Sequence, residues 1–360
     1  MKKLAFAMIA VMVALITGCA TGPKPTLRCN YEVGQEDVLT YKSSTSYKTW
    51  IEMPKKDPST PDTRTTTREL VLNRKVTEVA EDGTATMLVS YQKADLGLEI
   101  DVRDASNANK KDARKKSSKT YANEGDKFKT DFPGEPKLVG KTFTVKISPS
   151  TKVLEVQGLD ALLKELKLTE DSEGIVPEFV SEKFIKEMLE CNFVTYASDE
   201  TAANIADYLS KGEDVKTYDK IIQTPNSMIK GQALMNKYSV DSIEAVNNDQ
   251  LINIGTAVEV LYQPQDGIEE QVPDNFMQKV IKDNSEMNEL TVIGDCQFMG
   301  LSGRPVKWSY DIDCMLILDG AKVKMGGGDN AKKKKAEPGS EGYMYTKTTI
   351  TNSCEYKIVK

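Results

Sequence analysis

Apolar and polar residues alternate through long stretches of this chain. Arg68-Glu69-Leu70-Val71-Leu72 leads on to Ala80, and Ala85-Thr86-Met87-Leu88-Val89-Ser90-Tyr91 follows. A period of two marks half-buried strands. Between them lies Glu81-Asp82-Gly83-Thr84, and Asp-Gly is a strong two-residue hairpin signal because both turn positions favour positive φ. Such a turn sets Val76 opposite Val89 and Ala80 opposite Ala85. A second hairpin is predicted from Phe143–Ile147, the turn Ser148-Pro149-Ser150, and Lys152–Val156. Further strands are predicted over Leu27–Val33, Asp37–Met53, Leu290–Phe298 and Arg304–Leu318.

The period changes in the middle of the chain. Leu159, Leu162, Leu163 and Leu166 recur at helical spacing. Pro177 opens a second segment with Phe179, Val180, Phe184, Met188 and Leu189 on one face. Ala202–Leu209 and Asp274–Lys282 are two more predicted helices. Three polar stretches read as loops: Pro54–Thr63, Asp104–Lys119 with its six basic residues, and Gly326–Gly342 with four consecutive lysines. Strands, then helices, then strands define an α+β class. The expected architecture is a long antiparallel sheet or partial barrel with covering helices. The segments are 27–157 (β), 158–215 (helical), 216–264 (a separate module, below) and 265–360 (a helix and a β-meander).

The first residues do not belong to this pattern. Met1-Lys2-Lys3 is followed by an apolar run from Leu4 to Ile16, too short to span a bilayer but suited to a signal peptide. It ends in Leu15-Ile16-Thr17-Gly18-Cys19, which resembles the lipobox of bacterial lipoproteins. That resemblance implies removal of residues 1–18, acylation of Cys19, and a tether over residues 19–26. Ala20, where an Asp tends to retain such proteins at the inner membrane, is similar to the outer-membrane pattern. Two or three acyl chains anchor a protein stably. The implied setting is the bacterial cell envelope, at the outer membrane, with the membrane as a partner through the lipid. Loss of Lys2 and Lys3 takes the formal charge from −6 to −8, the wrong sign for a nucleic-acid binder.

An oxidising envelope favours disulfides among the five remaining cysteines. Trp308, Tyr310, Ile312, Cys314, Leu316 and Leu318 alternate, as do Met344, Ile350, Cys354, Tyr356 and Ile358. A hairpin centred near residue 334 sets Cys314 opposite Cys354, Leu318 opposite Ile350, and Ile312 opposite Tyr356. A Cys314–Cys354 bridge is therefore expected. Cys29 is left to join Cys191 or Cys296, with one thiol over.

Residues 218–264 contain Lys237-Tyr238-Ser239-Val240-Asp241-Ser242-Ile243-Glu244-Ala245-Val246-Asn247, and then Leu251-Ile252-Asn253-Ile254-Gly255-Thr256-Ala257-Val258-Glu259-Val260. These stretches resemble the second half of a LysM module and its exit strand. The likeness implies a βααβ insertion, with Ser227 and Asp241 as helix caps. The family binds N-acetylglucosamine polymers between two loops. Here those loops carry Asn226, Ser227, Asn247 and Asn248 as glycan-binding candidates, and peptidoglycan as the partner. Pro225-Asn226 replaces the family's Gly-Asp, and the first helix is one turn too long.

The sequence contains no His, which excludes Ser-His-Asp and Cys-His catalysis and all His-containing metal sites. No C-x-x-C, EF-hand, phosphate-loop or S-x-x-K pattern occurs. The expectation is a non-catalytic, cofactor-free and metal-free envelope protein binding peptidoglycan or another glycan. The alternative is a carrier. Long antiparallel strands with helices on one face are similar in architecture to the LolA-like half-barrels, which hold acyl chains.

Overall fold

The computed structural model describes residues 25–52, 58–103, 113–168, 174–195, 199–203, 221–223, 233–261, 285–319 and 343–359. The lipobox with Cys19, the Asp274–Lys282 helix, the Gly326–Gly342 loop, and Asn226 and Ser227 lie outside these residues.

Among the described residues the protein is dominated by one 13-stranded antiparallel sheet. The strands β1 (Glu36–Glu52), β2 (Asp62–Val79), β3 (Ala85–Arg103), β4 (Arg114–Glu124) and β5 (Lys127–Thr130) form one meander. The hairpin of β6 (Thr142–Ile147) and β7 (Val153–Gln157) pairs with the start of β3 through β6. A second meander contains β8 (Ile221–Gln223), β9 (Ala233–Val246), β10 (Asp249–Leu261), β11 (Ser285–Met299), β12 (Arg304–Asp319) and β13 (Tyr343–Ile358). The two meanders meet in mid-sheet, where β1 pairs with β13 from Asp37 opposite Ile358 to Glu52 opposite Tyr343. At about 3.4 Å per residue, a 17-residue strand such as β1 is about 55–60 Å long.

Among the described residues the contiguous core lies at one end of this sheet. Leu39 and Tyr41 on β1, Leu70 and Leu72 on β2, and Val89 and Tyr91 on β3 point to the same side and are buried. Five short helical segments cover them: α1 (Leu159–Glu165), α2 (Ile175–Phe179), α3 (Glu182–Leu189), α4 (Asn192–Thr195) and α5 (Asp199–Ala203). Ser181 caps α3 by accepting from Phe184 N at 3.2 Å, and α3 buries Phe184, Ile185, Met188 and Leu189. The α2 start is held by Glu135, whose two carboxylate oxygens accept from Ile175 N (2.6 Å) and Val176 N (3.0 Å). Phe184 packs edge-on against Tyr41 at 5.7 Å, and the Tyr91 hydroxyl donates to Phe179 O at 2.9 Å. The segment before β1 is stitched in as well: Thr26 N donates to Gly300 O, Leu27 N to Ala202 O and Cys29 N to Pro149 O. The expected strand over Leu27–Val33 is absent: Leu27 N and Cys29 N donate to two different places, α5 and the β6–β7 turn, rather than to one neighbouring strand.

The α+β assignment is therefore corrected to a β-rich fold. The helical spacing at 159–166 and 175–189 is real, but each run lasts one or two turns and plugs one end of the sheet. The LysM-like βααβ insertion is also corrected: Lys237–Val246 lies in β9, not in helices. A bulge explains the misreading. Val240 pairs with Ile254, and Ser242 with Asn253, so Asp241 is an extra residue. A bulge shifts strand parity by one, so Val240 and Ile243 share a face at a spacing of three. That spacing imitates one turn of helix.

Two registers differ from expectation in the same way. Ala80 N donates to Thr84 O at 2.8 Å, with Gly83 at φ +82, so the loop has three residues. A bulge near Thr77 then places Val76 opposite Met87 rather than Val89. On the C-terminal side, β12 and β13 pair without interruption from Lys307 opposite Glu355 to Asp319 opposite Tyr343. The hairpin centre is thus 331, midway between 319 and 343, not 334. Cys354 faces Trp308, and Cys314 faces Thr348. Six residues separate positions 348 and 354, about 20 Å along a strand, far beyond the roughly 7 Å that a disulfide spans. Both thiols are free, and the expected Cys314–Cys354 bridge is withdrawn. Part of the predicted Asp104–Lys119 loop is also strand: Arg114, Lys115, Lys116 and Lys119 lie on β4.

Candidate functional site

The inner sheet face can be followed as rows of cross-strand neighbours. Within the core row, two inward positions are charged. Arg74 follows Leu70 and Leu72 at period two, and Asp37 precedes Leu39 and Tyr41. They meet as a bidentate pair, Nε to Oδ1 at 2.7 Å and Nη2 to Oδ2 at 2.8 Å. The guanidinium lies 4.9 Å from the centre of the Tyr356 ring. Burial works against the Arg74 charge, but Asp37 outweighs it and holds the guanidinium ionised. This pair is enclosed, with a residual cavity of about 20 Å³ beside it. It is a structural element with no room for a ligand larger than water.

The next row marks the limit of the helical cover. Ser43 pairs with Arg68 on one side and Asn352 on the other, and Asn352 pairs with Tyr310. Arg68 Nη2 donates to Glu178 of α2 at 2.7 Å, and Asn352 Nδ2 donates to the Tyr310 hydroxyl at 2.9 Å. Arg68 Nε and Asn352 Oδ1 are buried without a partner. Glu187 of α3 faces this row, with the Tyr41 hydroxyl 3.5 Å from Oε1. Burial pushes the Glu187 carboxyl up, against weaker opposing effects of Arg68 and Lys183.

Beyond this polar row the inner face carries apolar residues again, interspersed with Thr45, Thr66 and the exposed Arg64. Ile350 pairs with Ile312, with Cys314 one row further on β12. Ile312 and Cys314 are buried, yet they are separate from the contiguous core. On β3 the same rows carry Leu98 and Ile100. On β1 they carry Tyr47 and, further out, Ile51, exposed at 38% and 45%. The apolar rows therefore extend past the helices that complete the core.

The outer face differs. Lys93 Nζ lies 2.9 Å from Glu69 and 3.2 Å from Asp95, and Lys42 lies 3.9 Å from Glu69. This ladder borders an open groove of about 450 Å³, also lined by Thr67, Gly97, Thr351 and Ser353. Its charges are paired among themselves.

Of the glycan-binding candidates, Asn247 and Asn248 form the exposed two-residue turn between β9 and β10, with Asn247 at φ +54. Asn tolerates the left-handed region better than most residues, so these residues are explained by the turn they make. Neighbouring Asp249 accepts from Leu301 N (2.7 Å) and Ser302 N (2.9 Å), tying the turn to the β11–β12 loop. Among the described residues, no three Cys, Asp or Glu side chains converge on a metal position, and no helix is long and apolar enough to cross a membrane. The sequence reading missed Arg68, Glu187 and Asn352. The available signal was parity: Arg68 shares the phase of Leu70 and Leu72, and Asn352 that of Cys354 and Tyr356.

No family model and no curated protein matches the chain. Among solved structures, the chain is similar to a lipovitellin described in terms of lipid–protein interactions, at 9% identity and a TM-score of 0.29. That match covers 89% of this chain, which spans only about a quarter (25%) of the lipovitellin chain. Pseudomonas aeruginosa OccK7 (OpdD) aligns at 7% identity and a TM-score of 0.23, covering 91% of this chain and 100% of the other. An outer membrane channel from Pseudomonas putida F1 aligns at 7% identity and a TM-score of 0.16, covering 92% and 98%. Scores this low do not establish a shared fold, and the functional reading rests on the geometry alone.

Proposed function

We propose that this chain is a lipid-anchored, non-enzymatic envelope protein that holds the acyl chain of a lipid against the inner face of its sheet. The observation that carries the reading is the apolar continuation of that face beyond the helices, through Ile312, Cys314, Ile350, Leu98 and Ile100. Ile312 and Cys314 are buried and Ile350, Leu98 and Ile100 half-buried, and an acyl chain lying along the strands completes their cover, at roughly 25 cal/mol per Å² of apolar surface removed from water. The polar row at the base supplies head-group chemistry, an unpartnered donor on Arg68 and an unpartnered acceptor on Asn352. The anchor is the expected lipid on Cys19. Five residues, 20–24, separate it from Pro25, which is buried at the core end, so at most about 20 Å of chain separates that end from the bilayer.

The test uses the full chain purified without detergent and titrated with a fluorescent long-chain fatty acid and with phospholipid vesicles. Saturable binding at micromolar ligand is expected, with at least a tenfold loss for Ile312→Asp and little change for Leu154→Asp on the exposed side of β7. Binding to neither probe refutes the lipid reading. Retention on peptidoglycan sacculi in the same preparation would favour a glycan ligand instead. Mass spectrometry of the mature N-terminus checks the anchor, and cleavage elsewhere with no lipid on Cys19 removes it.

A further inference from the structure

We propose that Cys191 and Cys296 form a dithiol that closes to a disulfide joining the two halves of the molecule. Their Sγ atoms lie 3.7 Å apart, and both residues are buried, at 0% and 1% exposure. A bond of about 2.05 Å requires the sulfurs to approach by about 1.7 Å, which side-chain rotation supplies. Both backbones are held in place. Cys191 N donates to Thr151 Oγ1 at 3.1 Å, and Cys191 O accepts from Thr195 Oγ1 at 3.0 Å. Cys296 sits in mid-strand on β11, paired with Ile254 and Trp308. The pair therefore cannot drift apart without unzipping strands.

The same geometry selects among the buried thiols. Cys354 Sγ is directed to Met188 O at 3.5 Å. Cys314 is six residues out of register with Cys354, in a separate part of the sheet. Cys29 bonds to Tyr31. The hydrogen bond to Cys191 and then burial disfavour the Cys296 thiolate, so exchange occurs before the core closes, and the finished bond is shielded from reductants.

The oxidant is a protein or small-molecule disulfide. One cysteine thiolate attacks it and releases the first thiol. The second cysteine then displaces the other half from the mixed disulfide. The balance is two cysteine thiols plus one disulfide giving the Cys191–Cys296 bond plus two thiols, with two electrons passing to the oxidant. The bond spans 105 residues of sequence and links the segment between α3 and α4 to the C-terminal meander. It is independent of the lipid reading.

The test refolds the full chain from denaturant with oxidised glutathione, alkylates it unfolded without reduction, and maps the peptides. The expected result is a peptide pair joined through Cys191 and Cys296, a mass lower by two hydrogens, and alkylated Cys29, Cys314 and Cys354. Adding reductant should lower the urea midpoint of the unsubstituted protein but not of Cys296→Ser. Alkylation of both Cys191 and Cys296, or a link from Cys191 to Cys29 or Cys354, overturns the proposal. The same map on protein taken directly from cells reports the compartment. Free thiols there, with closure by glutathione in vitro, support the pair and count against the envelope setting.

Discussion

Removing Asp37 should expose how strongly the core depends on one buried ion pair. Asp37→Ala leaves the Arg74 guanidinium, now only 5% exposed, without its two charge-assisted bonds of 2.7 and 2.8 Å. Breaking a buried pair by deleting one partner costs about 3–5 kcal/mol, because the surviving charge stays desolvated. The Tyr356 ring at 4.9 Å offsets only part of this, since a cation–π contact contributes about 1–2 kcal/mol and is already present. With a urea m-value near 3 kcal/mol/M, the midpoint should fall by about 1–1.7 M. Replacing both partners, as Asp37→Leu with Arg74→Met, removes the stranded charge and should recover most of the loss, because an apolar pair of similar volume is close to neutral. Urea titration followed by tryptophan fluorescence reads both variants, since Trp308 lies in the same core. A shift below about 0.3 M for Asp37→Ala, or equal losses for the single and double variants, would refute the reasoning.

Three more outcomes are expected. Gly303 has φ +65, and a Cβ there would lie 2.2 Å from Arg28 O and 2.7 Å from Asn30 N; Gly303→Ala should cost about 2–4 kcal/mol and make Cys29 reactive to iodoacetamide in the native protein. Asn123 is buried and accepts from Leu138 N (2.8 Å) and Val139 N (2.7 Å); Asn123→Ala should cost about 2–4 kcal/mol and accelerate hydrogen exchange at those two amides. Glu187 is raised above its ordinary 4.5 by burial, so the native state holds this proton more tightly than the unfolded chain, and the stability it supports falls as pH rises above about 4.5. Glu187→Gln should therefore raise the urea midpoint at pH 7 and leave it unchanged at pH 3.5; an equal change at both values would disprove the assignment.

Many strands were legible from period two, as at Asp37–Glu52, Phe143–Ile147 and Arg304–Leu318, but Leu27–Val33 alternates as strictly and is not a strand. The helical runs at 159–166 and 175–189 were also legible, but not their shortness relative to the sheet. Three features depended on information that periodicity does not hold. Bulges at Asp241 and near Thr77 shift parity by one, and the apolar spacing left behind reads equally as helix or as a different register. Hairpin centres depend on loop conformation, so an error of three residues at 334 moved Cys354 six residues along its partner. The polar row was visible in parity but not in meaning, since the contacts of Arg68 with Glu178 and of Asn352 with Tyr310 arise only when distant strands and α2 are brought together.

The pairing of β1 with β13 has a consequence for how the chain matures. The first strand of the sheet and the last lie side by side, although 306 positions separate Glu52 from Ile358. Each meander can zip from local hairpins as it emerges, which is fast. The N-terminal one then presents β1 as an open edge of 17 residues, and the C-terminal one presents β12 until β13 arrives. Such edges template association with other chains. The most C-terminal strand of the sheet is therefore the one that closes it, so loss of β13 would leave two half-sheets with sticky borders. A chain exported before folding avoids this hazard only if both halves reach the same compartment unpaired.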